Sequence, residues 1–424
     1  MVSSLLGFAL ALAVLVVFYM VRKPEERGWL MWIAVGAFLL KALLVPAYFQ
    51  WLVYLGEGGF AYVDARGHHE QGVTIAEEIV YDTPSTSWGH KANDPGMYLV
   101  TAYTYILFGP NTLVIRFFLI MFVSAAMLYV YRITRMYFDE PTARLASAIY
   151  VFLPAPILLS LNHRKDPLVQ LIVLFMFYHA IRVFRQEPGW RMSAALGVLG
   201  LIAVYPFRSG LILPFLGVLV ICFVLANRSF VQGFLLAAGT VVVLIAVQVA
   251  IPEDARVNID IYTQRTEAML EGSAELSEVG GGLTRILRVT GPLDVYKIPF
   301  AAVAYLIMPF PPEISRAPVT TLGTFLHLIS LALLPHMLLG AWSLIRGPDW
   351  RLKLPLLVFP LVFLVVLGTV SIGVPRYREI FYPICLVWAA IGWRIGTQLF
   401  LKLAVYGGLS ALAIAVYLNR FGLI

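Results

Sequence analysis

The chain has 424 residues, of which 60% are hydrophobic and 13% charged, and its mean hydropathy is +0.83. Soluble domains carry about 45–50% apolar residues, so a water-soluble enzyme is excluded and the unit to count is an apolar run of about 20 residues. The formal net charge of +7 has to be located along the chain before it says anything about partners.

Long uncharged stretches predict about twelve membrane helices, near residues 2–21, 29–49, 112–131, 145–161, 168–184, 192–207, 211–226, 230–250, 319–345, 354–373, 380–393 and 398–418. The fold class expected is therefore an all-α polytopic membrane protein, with residues 1–424 as a single transmembrane domain. Cys222 and Cys385 both lie inside apolar runs and offer neither a disulfide framework nor a thiolate metal site. The first run has no basic residue before it and Arg22, Lys23 and Arg27 after it, the reverse of a secretory signal, which orients its N-terminus outside. Later loops then sort by charge. Short inner loops collect 15 bases against 6 acids, the outer side carries 15 bases against 18 acids, and Lys41 within the second helix completes the +7. The positive charge is topology, and no nucleic-acid partner is expected.

Two long segments fall outside, 50–111 and 251–318, and long translocated loops are where chemistry and recognition concentrate. In the first, the run from Gly59 to Glu70 crowds Asp64, Arg66, His68, His69 and Glu70 just beyond the second helix. A helix there would set Asp64 and His68 on one face at i, i+4. A solvated loop is the bland reading of any one of them. Asp64 suits a general base near the membrane surface; His68, His69 and Glu70 are candidates for contacting an acceptor or a divalent ion, although no specific metal spacing is present. Residues 97–108 are too few to span and rich in aromatic side chains, so they predict an interfacial helix, with Lys91 near the headgroups.

The six-residue turn Asn162 to Pro167 holds His163, Arg164, Lys165 and Asp166 between two apolar runs. Bases on the outer side oppose the positive-inside bias, and phosphate binding supplies a reason for them. The same holds for Arg208 after Pro206, and for Arg376 and Arg378 after Pro375. Lys41 inside the second helix reads equally as a functional intramembrane charge or as a snorkelling lysine. In the second outer segment Glu267, Glu271, Glu275 and Glu278 line one helical face before Gly280 to Gly282 break the run, which suits either a lid or a solvated linker. The apolar stretch at about 297–310 is too short to span and reads as a re-entrant or interfacial element.

Taken together, the acid after an early membrane helix, Lys91 before Pro95, Tyr98, Leu107 to Asn111, Arg116, Tyr129 to Arg132, Leu153-Pro154 and Arg164 to Pro167 resemble the GT-C superfamily of integral membrane glycosyltransferases. The likeness spans about residues 50–185, with a weaker echo at Arg376 to Pro383, and is nearest in style to aminoarabinose transferases and protein O-mannosyltransferases. It implies a polyprenyl-phosphate-linked sugar as donor, a cell-envelope acceptor (glycan, lipid or protein), inversion at the sugar carbon, and in some members a divalent cation, Mg or Mn. It further implies Asp64 and Asp166 as the catalytic acidic residues, with the donor phosphate near Lys91, Arg164, Lys165, Arg208, Arg376 or Arg378. The chain departs from the family pattern in having Ala65 after Asp64 and a histidine at position 68. The site is expected on the periplasmic or extracellular side of an inner (plasma) membrane. Alternatives are a polysaccharide polymerase or ligase and, from another class, a lipid-linked oligosaccharide flippase or other transporter. The crowding of ionisable residues at outer helix ends, rather than at mid-depth, favours chemistry over transport.

Overall fold

The computed structural model describes residues 2–82, 95–226, 238–239, 292–298, 300–302, 332–347, 349–370 and 379–396. Every regular element among them is helical. Six stretches are long and apolar enough to cross a membrane: Val2–Met20, Glu26–Tyr54, Thr112–Arg135, Asp166–Phe184, Trp190–Leu225 and Trp350–Leu367. The protein is a multi-pass membrane protein. The expected spans at 230–250 and 398–418, and most of the second outer segment, including its acidic face and residues 303–310, lie outside the described residues. The chain divides into two compact units, Met1–Ile212 with Gly239–Arg256, and Leu213–Ala238 with Val257–Ile424.

In the first unit, α1 (Val2–Met20) and α2 (Pro24–Tyr54) pack on α5 (Thr112–Arg135), which also receives α6 (Glu140–Phe152) and α8 (Asp166–Phe184). α5 is the central post: 83% of its most apolar window is buried, against 22% for α1. Apolar side chains on α1 such as Leu6, Leu10 and Val17 are left on the outside, as a lipid-facing helix requires. α5 starts where Asn111 accepts a hydrogen bond from the Leu113 amide at 3.0 Å, a side-chain N-cap, while the same Asn111 amide donates to Ser3 and Ser4 on α1. At the opposite end of α5, Arg132 grips both carboxylate oxygens of Glu26 at 2.8 and 2.6 Å, tying α5 to α2.

The run expected as one helix at 145–161 is instead two, α6 and the short α7 (Pro154–Ser160), separated at Leu153 with φ −63° and ψ 130°. The ring of Pro154 bars the helical conformation from the residue before it, which hydropathy alone cannot register. The break is followed by the polar turn 161–165, after which α8 begins. The segment between the second and third long apolar helices supplies α3 (Val63–Tyr81) and α4 (Gly96–Phe108), the latter a helix with nearly the bounds expected at 97–108. His68, Gly72, Ile75 and Ala76 form the buried stripe of α3, spaced as one helical face, and it lies on Thr101, Ala102 and Tyr105 of α4. A Cβ at Gly72 would come within 2.4 Å of the Thr101 methyl, so the contact requires glycine. α4 in turn meets α9 (Trp190–Arg208), where Gly96 lies under the ring of Phe207.

In the second unit, α10 (Ile212–Leu225) follows a single 3-10 turn, Ser209–Leu211, and α11 (Leu334–Arg346) and α12 (Trp350–Val370) precede α13 (Tyr382–Ile395). α11 and α13 touch backbone to backbone. A Cβ at Gly340 would fall 1.9 Å from the Trp388 carbonyl oxygen, and one at Gly392 the same distance from that of His336. Trp388 also donates its indole N–H to the Leu356 carbonyl at 2.9 Å, joining α13 to α12.

Candidate active site in the first unit

The link between α2 and α3 is a tight loop with Gly56, Gly58 and Gly59 at φ of 80°, 60° and 85°, a left-handed backbone that side chains resist. Two arginines pin it: Arg66 donates to the Glu57 carbonyl at 3.2 Å, and Arg116 on α5 donates to that of Gly59. Gly59 also sits against the Phe49 ring, leaving no space for a Cβ. The loop delivers Tyr62 in extended conformation as the N-cap of α3, and Asp64 to its exposed first turn. An acid at that point favours the helix electrostatically whatever else it does.

Opposite this turn stands the segment 162–166. The Arg164 guanidinium lies 4.8 Å above the Tyr62 ring centre, which brings the start of α3 beside the start of α8. Asp166, in the first turn of α8, receives Arg164 at 2.8 Å on one carboxylate oxygen and Arg208 from the end of α9 at 3.1 Å on the other. The three side chains are 3%, 3% and 13% exposed. One carboxylate thus aligns two guanidiniums, and the trio keeps a net positive charge. Lys165 is half-buried beside it. Asn162 receives a long hydrogen bond of 3.5 Å from the Tyr48 hydroxyl and donates to the Leu158 carbonyl.

Behind Asp64 lies a layer of imidazoles and phenols. His68 bonds through Nδ1 to the His163 carbonyl at 3.3 Å, and its ring packs 5.4 Å from that of Tyr98. Because a carbonyl only accepts, Nδ1 of His68 carries the proton and Nε2 keeps a lone pair. Burial pulls the His68 pKa down to about 4; the hydrogen bond to the His163 carbonyl opposes this, Lys165 adds to it, and Asp64 and Asp166 oppose it more weakly. His163 is fully buried, with Nε2 3.0 Å from the Thr101 hydroxyl, and burial followed by the neighbouring His68 and Arg116 holds it well below the ordinary histidine range. His69 stacks on Phe60 and meets the Tyr105 hydroxyl at 2.7 Å; burial lowers its pKa and Glu70 opposes the shift. The layer is neutral near pH 7.

Two buried cations lie deeper. Arg116 packs over Phe49 and Phe60 at 5.2 and 5.8 Å, and its Nε and Nη1 have no partner among the described residues. Lys41 is fully buried on α2 and its ammonium likewise has none, so the snorkelling lysine of the sequence reading is instead enclosed. Sequence reasoning singled out Lys41 but passed over Arg116, His163, Tyr98, Thr101 and Tyr105 as site residues. A cation five positions into an apolar helix was the available signal for Arg116.

Residues 91–251 match the family model described as dolichyl-phosphate-mannose-protein mannosyltransferase. In three dimensions the chain is similar to the archaeal oligosaccharyltransferase AglB from Archaeoglobus fulgidus, solved with an inhibitory peptide and a dolichol-phosphate, at a TM-score of 0.53 and 15% identity over 93% of this chain. The matched segment and the fold are both similar to those of GT-C integral membrane glycosyltransferases. The chain spans 55% of the length of the AglB chain, so the likeness is one of fold. None of the curated proteins compared matches it.

The structure places some of the expected site residues together and not others. Asp64, His68, Arg164, Lys165, Asp166 and Arg208 come together, although Asp166 is engaged by two arginines rather than facing a substrate. His69 turns toward Tyr105, while Glu70 points out to solvent. Lys91, Arg376 and Arg378 lie outside the described residues. Among the described residues no group of three His, Cys, Asp or Glu side chains is close enough to hold a metal ion.

Proposed function

We propose that this GT-C protein transfers a sugar from a polyprenyl-phosphate donor to a hydroxyl-bearing acceptor of the cell envelope, with inversion, on the periplasmic or extracellular face of the inner (plasma) membrane. The observation that carries the reading is the pairing, across one contact, of an exposed carboxylate on the first turn of α3 with a buried, net-cationic Arg164–Asp166–Arg208 trio. The family description and the fold likeness agree with it.

The chemistry follows from charge. As the bond between the sugar carbon and the phosphate oxygen breaks, the electron pair stays on the phosphate, and guanidiniums already aligned by Asp166 stabilise the growing anion without reorganising. Lys165, half-buried beside them, adds a further positive charge. Asp64 takes the proton of the attacking hydroxyl, and attack from the side opposite the phosphate inverts the carbon. Asp166 serves by holding Arg164 and Arg208, in the manner of a positioning carboxylate.

The test follows transfer of radiolabelled mannose from polyprenyl phosphate in membranes containing the full chain. Asp64→Asn is expected to lower transfer by about 10²–10⁴-fold. Full transfer by that variant would remove Asp64 from the mechanism, and no transfer by the wild type with any lipid-linked donor would sink the enzyme reading.

A further inference from the structure

We infer that His68 contacts the acceptor: through Nε2 it accepts a hydrogen bond from an acceptor hydroxyl beside the one that Asp64 deprotonates, so that a polyol, such as a sugar ring, is preferred to a lone alcohol. The inference deepens the transferase reading and rests on it.

The argument starts from the ring's two nitrogens. His68 sits one helical turn after Asp64 on α3, and its Nδ1–H is committed to the His163 carbonyl. That bond orients the imidazole and assigns the tautomer, leaving Nε2 as a pure acceptor. His163 itself is fixed by the Thr101 hydroxyl, so the carbonyl that holds His68 belongs to a turn already anchored to α4. The groups facing His68 are Asp64 on its own helix, Tyr98 on α4, and His163, Lys165 and Asp166 on the turn and α8. Among them Asp64 accepts, Asp166 is occupied by guanidiniums, and the Tyr98 and His163 rings pack against the imidazole. What this corner presents to an acceptor is therefore two acceptor atoms about one helical turn apart, the Asp64 carboxylate and the His68 Nε2. Two hydroxyls of one molecule supply matching donors. A ligand without the second hydroxyl leaves the lone pair of a buried imidazole unpaired, which is the strongest basis for rejecting it. The proton moves from the attacking hydroxyl to Asp64, and His68 ends the reaction in the protonation state in which it began.

Two substitutions separate this contact from a merely structural role. His68→Asn keeps an N–H where Nδ1 stands, so the bond to the His163 carbonyl survives and the Nε2 acceptor is lost. His68→Gln reaches the Nε2 position with an acceptor oxygen and gives up the carbonyl bond. The full chain in lipid nanodiscs is assayed with polyprenyl-phosphate [14C]mannose as donor and with octyl glucoside or octanol as acceptor. Wild type is expected to use octyl glucoside at least tenfold better than octanol, by kcat/KM. His68→Asn should raise the KM for octyl glucoside tenfold or more, leave the donor KM within twofold, and erase the preference over octanol, whereas His68→Gln recovers part of it. A His68→Asn protein that matches wild type on octyl glucoside while His68→Gln is impaired assigns His68 to structure and overturns the inference. So does a wild type without preference between the two acceptors. Absence of transfer to any acceptor, by contrast, strikes at the transferase reading, and the inference falls with it.

Discussion

Asp166→Asn tests the central claim that one carboxylate aligns two buried guanidiniums. The substitution is isosteric, so packing is unchanged and only the charge leaves. In the native arrangement, Asp166 and Arg164 are each 3% exposed and Arg208 13%, with contacts of 2.8 and 3.1 Å. At an effective dielectric constant of about 20, a pair about 4 Å apart attracts by roughly 4 kcal/mol, most of it offset by the cost of burying the charges. Removing the shared partner leaves that burial cost in place and adds repulsion between the two arginines, and losing one member of a buried ion pair costs about 3–5 kcal/mol. Replacing Arg164 alone leaves the Asp166–Arg208 pair intact and should cost less. Thermal unfolding of the detergent-solubilised chain, followed by tryptophan fluorescence, ranks the variants. A polyprenyl phosphate supplies a replacement anion, and at about 100 times its Kd a ligand stabilises by about 2.7 kcal/mol. It should therefore rescue the Asp166→Asn protein more than it stabilises the wild type. If Asp166→Asn unfolds within about 0.5 kcal/mol of wild type, the trio does not bear the charge balance argued above. Equal stabilisation of both proteins by the lipid would separate Asp166 from the phosphate site.

Gly96→Ala places a methyl 2.8 Å from the Phe207 ring, next to Arg208 in sequence, and overpacking of this kind costs about 1–3 kcal/mol, so both melting temperature and donor affinity should fall. Gly340→Ala is expected to be worse, because the atom it meets at 1.9 Å is the Trp388 backbone oxygen, which no rotamer change relieves; poor recovery from detergent relative to a Gly217→Ala control, where a Cβ meets nothing, would show it. His68 has a lowered pKa in the folded chain, about 4 against 6.5, so the unfolded state binds more protons between these values. Its contribution, about 3 kcal/mol by 1.36 kcal/mol per pKa unit, is fully present above about pH 6.5 and lost as pH falls toward 4. His68→Asn should flatten that part of the stability–pH curve, and an unchanged curve would contradict the burial argument. Arg116→Met should release the Gly59 carbonyl and with it the loop before Asp64, lowering kcat by up to about 10²-fold with donor affinity unchanged, on the scale expected for a positioning error of about 1 Å.

Much of this could be read from hydropathy and charge. The membrane class, the short helix at Gly96–Phe108 and the i, i+4 placement of Asp64 and His68 are local properties, set by apolar run length, aromatic content and helical periodicity. The break at Leu153-Pro154 was legible too, since proline acts on its immediate neighbour, but an apolar run conceals it from a count of hydropathy. What no local pattern contains is the partner of each polar group. Asp166 finds Arg208 across 42 positions, His68 finds the His163 carbonyl across 95, and Arg116 finds the Gly59 carbonyl across 57. These pairings exist only because α3, α4, α5, α8 and the end of α9 bring their outer ends together, through contacts as close as Gly72 on Thr101 and Gly96 on Phe207. Sequence alone singled out Asp64 as a general base and, through the resemblance, Asp166 as a second acid. Tertiary structure set them in different surroundings, Asp64 on an exposed helix start and Asp166 buried between two guanidiniums, because only the packing of distant helices decides which charges surround a carboxylate.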